Sequence, residues 1–157
     1  MLVTIICDAS WCPDTGAGGY GYWIASGRGK RGGGGRLRNP TVGSNVAEMY
    51  AACNSLFIAW RVGLVVTGDE VLIQTDSMAT IQAFLGLRVN LLPQEEEACN
   101  QLRNLTKQIG ITVRWRHVKG HTSTRDARSA TNRMCDKRAK EYMKMMRSQI
   151  HREFQHA

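Results

Sequence analysis

Val3-Thr4-Ile5-Ile6-Cys7-Asp8-Ala9-Ser10 is the stretch on which the fold turns. Five apolar or β-branched residues run straight into a carboxylate and then two small residues, the pattern of a buried strand that delivers an acid to the edge of a sheet. A single Asp after a strand is more often a turn residue. The same pattern recurs, however: Val71-Leu72-Ile73-Gln74-Thr75 runs into Asp76, and Ser77 is placed to cap a short helix over about 78–85. Between the two acids lies a segment of helical spacing, Met49, Cys53, Leu56, Phe57 and Trp60, which Ser44 or Asn45 can cap and which ends near Gly63. Glu48 falls early in that helix, where an acid also suits the helix dipole.

The rest of the chain fits around these three segments. Gly18 to Ser26 reads as a strand rich in Gly, Tyr and Trp, and Gly27-Arg28-Gly29 supplies turn chemistry. A third strand is expected over about 30–38, weakest at Gly32 to Gly35, where four glycines suggest a loose hairpin. No phosphate-cradling Gly-Lys-Ser/Thr follows those glycines. Gln94 to Gln108 forms a helix opened by Glu95, Glu96 and Glu97, acids that serve its dipole. Ile111 to Val118 alternates like a strand with its basic residues on one face, and a polar loop follows from Lys119 to about Ala130. A basic helix over about 132–147 closes the domain, with Met134, Ala139, Tyr142, Met143 and Met146 as its buried stripe and Asp136 early in it.

The order of elements implies an α/β fold: a five-stranded mixed sheet, antiparallel at the start, with helical crossovers covering both faces. A length of 157 residues with 43% hydrophobic content suits one domain, taken as residues 1–147 with a basic, flexible tail over 148–157. No apolar run reaches membrane-spanning length, and a cytoplasmic location is expected. The five cysteines are odd in number and irregularly spaced, which favours reduced thiols over a disulfide framework or a zinc site.

The net charge of +8 is not spread evenly. Residues 1–113 carry nine basic and nine acidic side chains, whereas 114–157 carry twelve basic and four acidic. A polyanionic partner on that side is the simplest use of the surplus, with nucleic acid the first choice; a solvated helix face has equal standing on charge alone. Four acids, Asp8, Glu48, Asp76 and Asp136, fall at or near element ends. Clustered carboxylates repel one another unless a cation neutralises them, and hard oxygen ligands select Mg²⁺ or Mn²⁺.

The ordered set resembles the type-one ribonuclease H family. It comprises Asp8-Ala9-Ser10, Gly18-Gly19-Tyr20-Gly21, Ser44-Asn45-Val46-Ala47-Glu48, Thr75-Asp76-Ser77, Trp115, Val118-Lys119-Gly120-His121, and Asn132 through Asp136. The resemblance implies a ribonuclease H-like fold and a monomeric endonuclease that cuts the RNA strand of an RNA–DNA hybrid and leaves 5′-phosphates. It also implies two Mg²⁺ ions per site, with Mn²⁺ as the alternative. By that likeness Asp8, Glu48, Asp76 and Asp136 are the metal ligands, Asp8 bridging the two ions. Glu48 would also meet the 2′-hydroxyl, and His121 would assist proton transfer or product departure.

Hybrid contacts are implied for Ser10, Ser44, Asn45, Ser77, Met78, Lys119 and Asn132. Each has a plain structural reading as well: capping for Ser44, Asn45, Ser77 and Asn132, and core packing for Met78. Ala9 stands where the family usually has Gly, and Gly86 to Pro93 lacks a Trp- and Lys-rich protrusion that many members carry. The basic residues Lys137, Lys140, Lys144 and Arg147 are offered as the compensating grip. Two other readings stay open at this point, a nuclease of the same broad fold acting on DNA junctions or duplexes, and a non-catalytic module that binds hybrid or double-stranded RNA. The carboxylate set speaks against the second, because binding a polyanion gains nothing from clustered acids.

Overall fold

A computed structural model describes residues 1–118 and 127–155. Its elements, in chain order, are β1 (Leu2–Trp11), β2 (Gly18–Ser26), β3 (Gly29–Arg36), α1 (Ser44–Arg61), β4 (Glu70–Thr75), α2 (Met78–Phe84), α3 (Pro93–Ile109), β5 (Thr112–His117) and α4 (Ala127–Gln155). The five strands form one sheet in the order β3-β2-β1-β4-β5, with β1, β2 and β3 antiparallel and β4 and β5 joined in parallel. This is the mixed sheet expected from the pattern of strands and crossovers. Among the described residues no helix is long and apolar enough to cross a membrane.

Strand alternation divides the labour of β1. Val3, Ile5 and Cys7 are buried in a core shared with Met49, Cys53 and Leu56 of α1 and with Val71 and Ile73 of β4. Each fully buried aliphatic side chain contributes about 1.5–3 kcal/mol, so this shared core holds α1 firmly on its face of the sheet. Helix α4 covers the other face through an unusually close approach. A Cβ added at Gly21 would stand 2.2 Å from the Cys135 carbonyl oxygen, and one at Gly19 would stand 2.3 Å from the Met143 nitrogen. Only hydrogen at those two positions lets the helix backbone rest on β2.

Several boundaries depart from the sequence-based expectations. Strand β1 continues three residues past Asp8, because Asp8 to Trp11 pair in register with Gly21 to Gly18. The glycine run is a regular strand rather than a loose hairpin: Gly32 to Gly35 pair with Trp23 to Tyr20. A Cβ at Gly33 or Gly35 would collide with the Tyr22 or Tyr20 hydroxyl at 2.6 and 2.7 Å, so the glycines make room for two stacked tyrosines. Helix α1 takes Gly43 as its N-cap with no side-chain bond, so neither Ser44 nor Asn45 caps it, and both are exposed. Phe57, counted with the buried stripe, is 46% exposed. Helix α4 begins five residues earlier than expected and runs to Gln155, so residues 148–155 are helical. Ser77 does cap α2, its Oγ accepting from the Thr80 N–H at 3.2 Å.

Candidate metal centre

The parallel pairing of β1 with β4 places Ile6 beside Gln74. Two residues beyond that pair, Asp8 lies within β1 and Asp76 immediately follows the last residue of β4. Glu48 arrives from α1. It lies in the second turn of that helix, not the first as its sequence position suggested, so it has no part in offsetting the dipole. A ligand oxygen from each of Asp8, Glu48 and Asp76 lies within 4.8 Å of the others.

One backbone group ties two of these acids together. The Ala9 N–H is shared between Asp8 Oδ1 at 3.0 Å and Glu48 Oε1 at 3.2 Å. The second oxygen of Glu48, Oε2, is buried and has no hydrogen-bond partner among the described residues. Burial first, and then the neighbouring charges of Asp76 and Asp136, push the Asp8 carboxyl up to about 8. Glu48 is likewise raised well above the ordinary carboxylate range, by burial and then by Asp8 and Asp76. Three acids held at this separation, one with a buried oxygen unpartnered, form a site short of positive charge. That donor set is all oxygen and fits a hard divalent cation.

Asp136 stands beside this trio rather than within it. Its charge acts on Asp8, but its Oδ2 is 3.0 Å from Lys140 Nζ, one helical turn further along α4. Of the four expected ligands, the fold therefore assembles three and holds the fourth adjacent in an ion pair. His121 and Lys119 lie outside the described residues, so their expected roles carry no structural account. Ser10, Ser77 and Asn132 are half-buried around the trio's elements. Met78 is 45% exposed and so is not the core residue its apolar side chain suggested.

Two positioning contacts escaped the sequence reading. Gln74, buried on β4, donates from Nε2 to Asn132 Oδ1 at 3.5 Å, tying the strand that ends in Asp76 to the helix that carries Asp136. His117, which pairs with Thr75 at the end of β5, donates from Nε2 to the Asp76 carbonyl oxygen at 3.1 Å. The first had a signal available, a polar residue in the middle of an apolar strand. The second had none, because it depends on which strand lies beside β4.

Fold and site together define the class: an α/β domain whose carboxylates converge at one edge of a mixed sheet, as in metal-dependent phosphodiester hydrolases. A family model for RNase H matches residues 2–144, and the chain belongs to the RNase H family. RNase H1 from the halophilic archaeon Halobacterium salinarum superposes with a TM-score of 0.72 at 20% identity, over 92% of this chain and 98% of that one. LC11-RNase H1, solved in complex with an RNA/DNA hybrid, gives 0.71 at 17% identity over 91% and 97%. The N-terminal RNase H domain of Rv2228c from Mycobacterium tuberculosis gives 0.66 at 21% identity over 94% and 97%. At these identities the likeness is one of fold. No curated protein sequence matches the chain.

Proposed function

We propose that this protein hydrolyses the RNA strand of RNA–DNA hybrids, using Mg²⁺ or Mn²⁺ held by Asp8, Glu48 and Asp76, with Asp136 joining when its ion pair to Lys140 opens. The observation that carries the reading is the carboxylate trio with its unpartnered Glu48 oxygen, set in a chain of the RNase H family. Divalent cations at such a site supply a lowered pKa for the attacking water and charge stabilisation for the departing 3′ oxygen. The chain's own residues contribute the rest. Asp8 is fixed by the Ala9 N–H and by its place in the strand ladder, so its carboxylate is oriented before any ligand arrives. Glu48 is held by the same N–H through one oxygen, which leaves the other for a cation or a ribose 2′-hydroxyl, the group that distinguishes RNA from DNA.

Contacts to the hybrid belong to the same proposal. Ser44 and Asn45 are exposed at the start of α1 and make no cap bond, so their polar groups are available to a minor-groove edge. Ser77 and the exposed Met78 open α2 immediately after Asp76, and Ser10 and Asn132 flank the trio. Lys119 and His121 complete the set on the strength of the family likeness. The five cysteines are all free and buried, in keeping with the reducing, cytoplasmic setting proposed.

The test is cleavage of an end-labelled hybrid, with the matched RNA and DNA duplexes and a four-way DNA junction as competitors. Mg²⁺-dependent cutting of the hybrid's RNA strand alone is the expected result, abolished by EDTA. Cutting of DNA, or hybrid binding without cutting at any divalent cation concentration, would reject the reading.

A further inference from the structure

Helix α4 carries a basic track that begins at the carboxylates and runs away from them. At 3.6 residues per turn, Arg133, Lys137, Lys140, Lys144, Arg147 and His151 all fall within a sector of roughly 80° around the helix. No acidic residue shares that sector: Glu141 and Glu153 lie on other faces of the helix, and Asp136 stands just outside its edge, on the side of the metal centre. From Arg133 to His151 the track is about 27 Å long at 1.5 Å per residue.

The opposite side of the helix explains why this sector faces outward. Cys135, Ala139, Met143 and Met146 are buried against the sheet, while Arg133, Lys137, Lys140 and Lys144 are exposed. Lys140 joins the track to the metal centre, its Nζ lying 3.0 Å from Asp136 Oδ2. Arg147 reaches the Cys12 thiol, in the loop after β1; that thiol is held below its ordinary range chiefly by hydrogen bonding with Thr15, with Arg147 the smallest contributor. Arg36, at the end of β3, donates to Gln149 at 2.8 Å and adds a further cation beside the last turns. The positive sector thus follows the edge of the sheet at which the carboxylates collect. Neither Lys137 nor Lys144 forms an ion pair among the described residues, although Glu141 is one turn from each along the helix.

We propose that this face of α4 is a phosphate track: it binds the sugar–phosphate backbone of the hybrid where it leaves the metal centre, and so lengthens the footprint beyond the scissile nucleotide. This inference rests on the hybrid-cleavage reading above. A row of ammonium and guanidinium groups at one-turn intervals meets phosphates without reading bases, and it supplies affinity through counterion release. At an axial rise of 3.4 Å per nucleotide in one strand, a track of this length passes roughly eight phosphates, of which a straight helix touches a few.

The experiment compares two double variants that remove the same charge from different places. Lys137→Gln with Lys144→Gln lies on the track, and Lys30→Gln with Arg31→Gln lies at the exposed start of β3, away from it. Hybrid affinity is measured by fluorescence anisotropy in EDTA across a salt series, with circular dichroism to verify folding and with Lys137→Arg/Lys144→Arg to restore charge. The track variant is expected to flatten the log–log salt slope by about 1.8 and to weaken binding roughly tenfold or more at 0.1 M salt on an 18-base-pair hybrid. The β3 variant and the arginine variant are expected to keep the wild-type slope. Equal losses from both glutamine variants, or no loss from the track variant while wild-type protein binds and cuts hybrid in Mg²⁺, would overturn the proposal. Wild-type protein that neither binds nor cuts hybrid would instead overturn the functional reading beneath it.

Discussion

The Ala9 backbone N–H lies 3.2 Å from Glu48 Oε1 while the other oxygen of that carboxylate is buried without a partner. A main-chain donor thus fixes the orientation of an acid that comes from another element 39 residues away. Half of the Glu48 carboxylate is satisfied by the fold and half is left for what binds there, which is how a site is oriented in advance at little cost.

Removing a ligand while keeping its shape should therefore abolish chemistry without unfolding the protein. Asp76→Asn and Glu48→Gln are expected to lower kcat by roughly 10²–10³-fold or more, the scale of losing one electrostatic contact at a developing charge. Single-turnover cleavage of hybrid, with thermal melting alongside, checks both halves of the statement.

The metal-free protein should lose stability as pH rises. Asp8 titrates at about 8 in the folded chain against an ordinary value of 3.8, so between about pH 4 and pH 8 the folded state holds a proton that the unfolded state has released. Folding then becomes less favourable across that window, because it requires uptake of a proton that grows scarcer as pH rises. Melting in EDTA is expected to occur at lower temperature at pH 8 than at pH 5.5, and Mg²⁺ should restore more at pH 8. Asp8→Asn should raise the melting temperature in EDTA at pH 8, by about 2–4 °C for each kcal/mol of repulsion removed.

Arg88 should be a stability residue of the α2–α3 connection. Its guanidinium is 2.5 Å from Glu95 Oε2, and Glu95 is only 2% exposed while its other oxygen accepts from the Leu92 N–H. Arg88→Ala leaves that carboxylate buried and unpaired, at an expected cost of about 2–4 kcal/mol. Arg88→Met with Glu95→Met should cost less than Arg88→Ala alone, since no orphaned charge remains. Urea unfolding of the three proteins decides it.

Gly21→Ala should separate the sheet from α4. The added methyl would stand 2.2 Å from the Cys135 carbonyl oxygen, a contact that only backbone movement relieves. Overpacking of this kind costs about 1–3 kcal/mol, and the displaced segment carries Asp136. A fall in both melting temperature and hybrid cleavage is expected; full activity in a destabilised protein would show that Asp136 has no part in the chemistry.

Much of the architecture is legible in the chain because it depends on local pattern. Two apolar strands that run into Asp8 and Asp76, and a helix between them that carries Glu48, are periodic signals. The glycine run of β3 was harder to read for a physical reason. Its residues are dictated by Tyr20 and Tyr22 across the hairpin and by Tyr142 on α4, which lies more than a hundred residues away in sequence. The length of α4 was likewise hidden, because its last turns have few apolar residues to pack and leave Phe154 80% exposed.

The sequence by itself determined that apolar strand segments run into Asp8 and Asp76 and that the basic sector of α4 contains no acid, since both follow from residue order and the helical repeat. Only the tertiary structure decided that Asp8, Glu48 and Asp76 converge while Asp136 is held aside by Lys140. Convergence depends on the parallel register of β1 with β4 and on the seating of α1 against β1, while the place of Asp136 depends on the hydrogen-only contacts beneath α4; all are set by packing between segments distant in the chain.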